Sequence, residues 1–333
     1  MTMKEADIRP RHLFDTYLRL LEEDVETFFS DHRDFVAVPC PGCGALEGRD
    51  ALVKSGFAYR ECAACATLWT SPRPPAARLA AFYRSAKSVD YWRTAFYRET
   101  AEARRAHIFR PRAALLSELL APAGANGQRT MADVGAGYGL FLEEVARVGT
   151  FRDVVGIEPN PGLAAVCRAR GFRIVDKAVE DLDPGELQAD VVTAFEVLEH
   201  VHDPDRFLAA VGRVLVPGGW LILTTLTSSG FDIQTLWERS NAVTPPQHLN
   251  LLSIEGMRHL MARAGFDIID LSTPGRLDVN IVENACAADP GVPLPRFLRY
   301  LFEHRDAATR EQFQAFLQTA LLSSHVRVVA RRP

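Results

Sequence analysis

Four cysteines stand in two matched pairs, Cys40-Pro-Gly-Cys43 and Cys62-Ala-Ala-Cys65, with eighteen residues between them. Two knuckles of this kind bring four thiolates to one tetrahedral centre, the chemistry of a structural Zn2+ site. Gly42 and Gly44 permit the tight turn that aims amides at sulfur, whereas the second knuckle carries Ala66 where a glycine usually trails. A redox dithiol is the alternative, and two matched pairs argue for metal over it. A four-cysteine site is closed, so reaction chemistry is expected elsewhere. Cys167 follows apolar Val166 and reads as a core residue; Cys286 stands alone.

A second group of residues suits a nucleotide. "MADVGAGYGL", 131–140, places Gly135, Ala136, Gly137 and Gly139 after a short apolar run. A dinucleotide loop spaces its glycines G-x-G-x-x-G; here the third arrives one residue early. Asp133 precedes the loop, and a carboxylate there suits an ammonium group better than a pyrophosphate. Glu158 closes the next apolar run, in "VVGIEPN", where an acid can hydrogen-bond both ribose hydroxyls. Ribose, an ammonium and no pyrophosphate together describe S-adenosylmethionine. A glycine turn with a solvated acid is the plainer alternative, and the joint occurrence of loop, context and distal acid argues against it.

The third group holds acids and histidines. "FEVLEHVHDP" clusters Glu196, Glu199, His200 and His202, and "TPPQHLNLLS", 244–253, adds His248 behind two prolines. Methyl transfer is an in-line displacement at a sulfonium carbon, so a hydroxyl acceptor must be aligned and lose its proton. Histidine does this near neutral pH. His248 is the first candidate base and His200 the second, against the alternative that each merely hydrogen-bonds its own loop.

These residues need elements to position them. Leu13, Tyr17, Leu20, Leu21 and Val25 recur at helical spacing over 5–30. "SPRPP", 71–75, reads as a linker, 76–120 as helices, and "AGANGQ", 123–128, as a loop. From Thr130 onward strands alternate with helices: "TMADV", "DVVGIE", "FRIV", "DVVTAFEV", "GWLILTTL" and "FDIIDL" are strands, and "SSHVRVVARRP" ends the chain with another. Such alternation predicts an α/β fold with a parallel, doubly wound sheet. An insert over 274–322 shows two helix-like patterns. "PGRLDVNIVEN" opens it, and Arg276, Asp278 and Asn280 there suit either substrate or the insert's own backbone.

"DVGAGYG", "GIEPN", "FEVLEHVHDP" and "LVPGG" occur in this order in the class I S-adenosylmethionine-dependent methyltransferases, and the chain resembles the ubiquinone-biosynthesis-type subgroup of that family. The likeness covers about 130–271 and extends to the final strand. It implies a Rossmann-like seven-stranded sheet with the last strand antiparallel. It places the methionine moiety on Asp133 and the Gly135–Gly139 loop, with Ala136 inside it, and the ribose on Glu158 beside Pro159. The family often has Asp-Ala near its third strand for the adenine amino group. Here "KAVEDL" puts Ala178 and Val179 at that point, leaving Val179 or Glu180 for the adenine. Glu196 is a further cofactor candidate. "CATLWTSPRPPAARLAAFY" resembles the zinc ribbon, proline turn and tyrosine-bearing helix that precede this fold in many bacterial proteins, some acting on nucleotide-linked sugars or surface glycans.

The expected organisation is an N-terminal helix at 1–34, a zinc ribbon at 35–70, a helical linker or cap at 71–122, and the cofactor-binding domain at 123–333. The 333 residues, 47% hydrophobic and 24% charged with a net charge of −4, fit a globular enzyme. They point to no anionic membrane or nucleic-acid partner. No apolar run spans a bilayer and the N-terminus lacks a signal-peptide core, so a cytoplasmic protein is expected.

A small polar acceptor, a sugar or nucleotide-sugar, methylated at oxygen, is the leading expectation. An RNA methyltransferase is the rival, and residues 1–70 weigh against it with eight Lys/Arg and twelve Asp/Glu. A non-catalytic binding protein on the same scaffold is the third reading. Residues 71–120 carry ten Lys/Arg and four Asp/Glu, densest in "RRAHIFRPR", which suits either a phosphate grip or a solvated helix face. The aromatic group Phe82, Tyr83, Tyr91, Trp92, Phe96 and Tyr97 lies between ribbon and main domain. Oligomeric state is not fixed by any of these features.

Overall fold

Period-two burial organises the molecule. In a computed structural model describing residues 3–121 and 127–333, seven strands form one sheet. The strands of the described residues are β1 (Arg49–Lys54), β2 (Phe57–Glu61), β3 (Leu68–Thr70), β4 (Thr130–Val134), β5 (Asp153–Ile157), β6 (Arg173–Val175), β7 (Ala189–Phe195), β8 (Leu215–Leu226), β9 (Asn250–Leu251), β10 (Asp267–Ser272) and β11 (His325–Arg331). The large sheet runs β10-β11-β8-β7-β4-β5-β6. Its β6-β5-β4-β7-β8 ladder is parallel, and β11 lies antiparallel between β8 and β10.

Alternate side chains of the central strands feed opposite cores. Ala132, Val192, Leu221, Leu223 and Val328 enter one; Met131, Val191, Ile222 and Val329 enter the other. Helices cover both faces, which is why these strands are apolar throughout. The order reverses between β4 and β7, so a crevice opens at their carboxyl ends.

The cysteine segment is built into this body. β1, β2 and β3 form an antiparallel sheet whose fourth strand is β9, directly after His248. After a short first helix (Glu5–Ile8), the helix Arg11–Phe29, the ribbon's Phe57, the helix Ala76–Ser85 and Leu249 share one core. Helical chain then runs from 87 to 120 over the crevice, with π-helical turns at Trp92–Phe96 and Arg105–Phe109.

Three features differ from the sequence expectations. "SPRPP" is no loose linker: Arg73 is 1% exposed, and its guanidinium donates to Thr70 O, His202 O and Asn250 Oδ1. The insert forms three helices, Asp278–Ala288, Arg296–His304 and Ala307–Thr319, because "AATREQFQAFLQT" starts a new one at an Asp306 cap. β8 begins at Leu215, four residues before the expected strand "GWLILTTL", and runs through Gly218 and Gly219. Of the expected loop over 123–128, residues 123–126 lie outside the described residues, and Gly127 and Gln128 form a turn.

Candidate active site

The glycine loop turns sharply between β4 and the helix Leu140–Val148. Gly135, Gly137 and Gly139 all have positive φ, and a Cβ on Gly135 would come within 2.7 Å of Val197 Cγ2. The loop amides are committed internally. Gly135 and Ala136 donate to Ile157 O, Gly139 to Ala136 O, and Gly137 to Glu158 Oε2 at 2.9 Å. Four of the five amides of Gly135–Gly139 are thus turned away from a pyrophosphate, in keeping with the early third glycine.

Both acids of the nucleotide group lie at this crevice. Asp133 is 4% exposed and accepts from Thr193 Oγ1 at 2.6 Å. Burial pushes its carboxyl up to about 7, against the Thr193 hydrogen bond and the Arg112 charge. Glu158 accepts one N–H on each oxygen, from Gly137 and from Asn160 at 2.9 Å. Burial raises it as well. Each of its oxygens keeps capacity to accept a hydroxyl. The other expected cofactor residues are placed differently. Ala136 is buried in the core, and Pro159 is exposed. The Val179 side chain is buried in the core, leaving only its backbone for an adenine, while Glu180 is half-buried beside it.

Glu196 is the hub of an ionic cluster. It follows β7 directly with φ +57, in the left-handed region, which costs a non-glycine residue about 1–2 kcal/mol. Its Oε1 accepts from Arg112 (2.7 Å), Thr224 (2.6 Å) and His325 (2.7 Å). Burial would raise this carboxyl, but His325 and then Arg112 outweigh it and hold it well below the usual range. Arg112 also lies over the Phe195 ring at 4.5 Å.

The histidines converge nearby, His200 four residues after Glu196 and His248 from the loop before β9. His248 and His200 have ring centroids 4.9 Å apart. His248 Nδ1 is 2.7 Å from Ala242 O, and His200 Nδ1 is 2.9 Å from Gln247 O. A carbonyl only accepts, so both Nδ1 atoms carry hydrogen and, in the neutral rings, both Nε2 atoms present a lone pair. Burial lowers both, His248 to about 3, with His200 as its second cause. Glu199, buried and bonded by Thr225 Oγ1, is pushed up to about 8 by burial and by Glu196. A Glu199 oxygen and a nitrogen from each histidine lie within 4.8 Å of one another, an arrangement able to pass a proton or to hold a divalent cation. His202 is apart from them, 3.1 Å from Pro74 O.

The roof comes from the N-terminal helices. Tyr17 hydrogen-bonds Gln247, beside His248, and packs edge-on against Trp92. Tyr97 stacks on Tyr138 of the glycine loop at 4.7 Å. The run "RRAHIFRPR" divides by face: Arg105 and Arg110 pair with Glu144, whereas Arg104 and Arg112 turn inward. Arg112, His325, Gln247 and Tyr17 had no individual signal in the sequence, since each acquires its role only when distant segments meet.

The four cysteines form a separate cluster. Cys40 Sγ lies 3.6 Å from Cys65 Sγ, and Cys43 Sγ 3.4 Å from Cys62 Sγ. All four sulfurs fall within 4.8 Å, as ligands at about 2.3 Å from one tetrahedral ion would. Gly44 N donates to Cys40 O and Ala66 N to Cys62 O, one turn per knuckle. Ala66 takes φ +58, the conformation a trailing glycine would favour.

A parallel sheet with an antiparallel β11, a glycine turn after β4 and acids at the carboxyl ends of β4 and β5 define a class I S-adenosylmethionine-dependent methyltransferase. A methyltransferase domain family model matches residues 101–271, and the chain belongs to that family. It is 37% identical over 102 residues to a ubiquinone biosynthesis O-methyltransferase of Bradyrhizobium sp., covering 29% of this chain and 39% of that protein. It is 39% identical over 128 residues to one from Xanthomonas axonopodis pv. citri, covering 36% and 51%. The matched segment thus spans about half or less of these relatives. In fold, the chain is similar to a chain of the complex containing the Haloferax volcanii Trm112 methyltransferase activator. That match has TM-score 0.50 and 16% identity, over 73% of this chain and 95% of the other. Among the described residues no helix is long and apolar enough to cross a membrane.

Proposed function

We propose that the chain transfers a methyl group from S-adenosylmethionine to a hydroxyl oxygen of a small polar acceptor, with His248 as base and His200 beside it. The observation that carries this reading is the histidine pair: two neutral imidazoles, each Nδ1 anchored on a carbonyl, rings 4.9 Å apart, at the crevice. The O-methyltransferase names of the relatives support it.

Asp133 would take the cofactor's ammonium and Glu158 its ribose. The cofactor supplies a methyl group on a cationic sulfur. The protein's own work is to align the acceptor, exclude water under the Tyr17–Trp92–Tyr97 roof, and receive the hydroxyl proton on Nε2. The products are a methyl ether, S-adenosylhomocysteine and that proton. A fixed base contributes roughly 10²–10⁴-fold to such a step.

A sugar or nucleotide-linked sugar fits as an acceptor with hydroxyls to offer. The four thiolates would hold Zn2+ in a structural role. Transfer of labelled methyl to a panel of hydroxylated compounds tests the reading. His248→Gln should lower kcat at least 100-fold while S-adenosylhomocysteine binds as before. Undiminished kcat would remove His248 from the chemistry, and absence of cofactor binding in the native chain would remove the donor.

A further inference from the structure

Among the described residues, two arginines over the crevice have no ion-pair partner. Arg104 comes from the helix Tyr97–Arg104, and Arg9 from the link between the first two helices. Arg104 Nε donates to Thr100 Oγ1 and Nη2 to Ile8 O. Its guanidinium lies 5.6 Å from Trp92, 5.8 Å from Phe96 and 5.3 Å from Tyr97, measured to ring centroids. Arg9 rests over Phe14. Among the described residues neither has a carboxylate within ion-pair distance. Their neighbours are matched: Arg112 has Glu196, Arg105 has Glu143 and Glu144, and Arg93 has Asp90.

The two charges act on each other and on the chemical centre. Burial, with Arg9 and Arg112 adding to it, pushes the Arg104 guanidinium down to about 10 against the pull of Tyr97 and Glu196. Arg9 in turn depresses His248. Both are therefore within electrostatic reach of the crevice where the acceptor must lie. Arg104 is only half-buried to solvent although protein surrounds it, as expected of a group lining an enclosed cleft. Unpaired enclosed charge is costly, and a guanidinium's flat fork matches an oxyanion.

We propose that Arg9 and Arg104 form an oxyanion subsite that receives a carboxylate or phosphate group on the methyl acceptor. This rests on the methyl-transfer reading and names the acceptor's chemical class. The aromatic wall of Trp92, Phe96 and Tyr97 would flank the anion-bearing end, leaving the hydroxyl end toward His248.

The test is isothermal titration of the full chain with inorganic phosphate and with benzoate, each with and without saturating S-adenosylhomocysteine. At least one anion should bind saturably at one site in the presence of S-adenosylhomocysteine. Arg104→Gln and Arg9→Gln should each weaken it at least tenfold, with S-adenosylhomocysteine affinity unchanged within threefold. Arg9 makes no side-chain hydrogen bond among the described residues, so its variant remains informative if Arg104→Gln misfolds. Absence of saturable binding by both anions, or equal binding in the variants, overturns the proposal. A matching loss of S-adenosylhomocysteine affinity would assign the arginines to the cofactor's own carboxylate and overturn it too. Failure of the native chain to bind S-adenosylhomocysteine would sink the donor assignment separately, with anion binding still read on the free protein.

Discussion

The Tyr59 hydroxyl donates to the main-chain carbonyl of His248 at 2.7 Å. Tyr59 belongs to the cysteine-bearing sheet, and His248 is the candidate base. The link is reinforced on both sides. Thr70 N donates to Leu249 O, and β3 pairs with β9 immediately beyond. The ribbon therefore fixes the backbone of the loop that carries the base, while Ala242 O fixes its ring.

Tyr59→Phe tests this link. Removing the hydroxyl from a side chain 1% exposed leaves the His248 carbonyl without that donor, a cost of about 1–3 kcal/mol. Methyl transfer should fall several-fold to tenfold in kcat, with S-adenosylhomocysteine affinity unchanged. Rate and affinity measured side by side decide it; an equal kcat would mean the loop holds itself.

Metal removal should act through the same route. The knuckles press against the helix Ile254–Arg263: a Cβ on Gly42 would meet Gly256 Cα at 2.8 Å, and Arg263 donates to Pro41 O and Gly42 O. Ser253, its N-cap, hydrogen-bonds Cys65 O. Cys40→Ser should abolish stoichiometric zinc by elemental analysis, lower the melting temperature and reduce kcat. Full activity in zinc-free protein would show the ribbon to be independent of the site.

The sheet and the cofactor turn were legible because their signals are local. A strand's alternation, a turn's glycines and an acid two residues before them need no distant partner. The Cys-x-x-Cys spacings were legible for the same reason. The roof was not. Arg104 and Arg112 sit in one basic run with Arg105 and Arg110, and only helix phase against the Leu140–Val148 helix separates them. Arg73 in "SPRPP" looked like a solvated linker residue because its partners, His202 O and Asn250 Oδ1, are more than a hundred residues away. The φ of Glu196 likewise follows from tertiary demand and not from its residue type.

Cofactor affinity should depend on pH through Asp133. Its carboxyl is raised from 3.8 to about 7 by burial, so below pH 7 it is largely protonated and offers no charge to an ammonium. Titration with S-adenosylhomocysteine should show affinity rising from pH 6 to pH 8 and levelling above. Asp133→Asn should bind at least tenfold more weakly at pH 8 and lose the rise. A flat native profile would count against the ammonium contact.

Stability should carry a different pH signature, set by Asp232 and Asp278. Both are almost fully buried, in helices Phe231–Leu236 and Asp278–Ala288, where the insert meets the main domain. Asp278 accepts from Ser323 Oγ, Ser324 N and Gln314 Nε2. Among the described residues, Asp232 Oδ1 has no hydrogen-bond partner. Burial first, then the Asp278 charge, raise Asp232 from 3.8 to about 7. The folded state thus holds this proton more tightly than the unfolded chain. Its contribution is complete below about pH 4 and is lost as pH rises through 7. Asp232→Asn supplies a permanent neutral donor toward Asp278, so it should raise the melting temperature at pH 8 by a few degrees and change it little at pH 4. Thermal melts of both proteins from pH 4 to 8 check this. A variant that is destabilised equally across the range would show that the pair shares no proton and that Asp232 is held as a carboxylate.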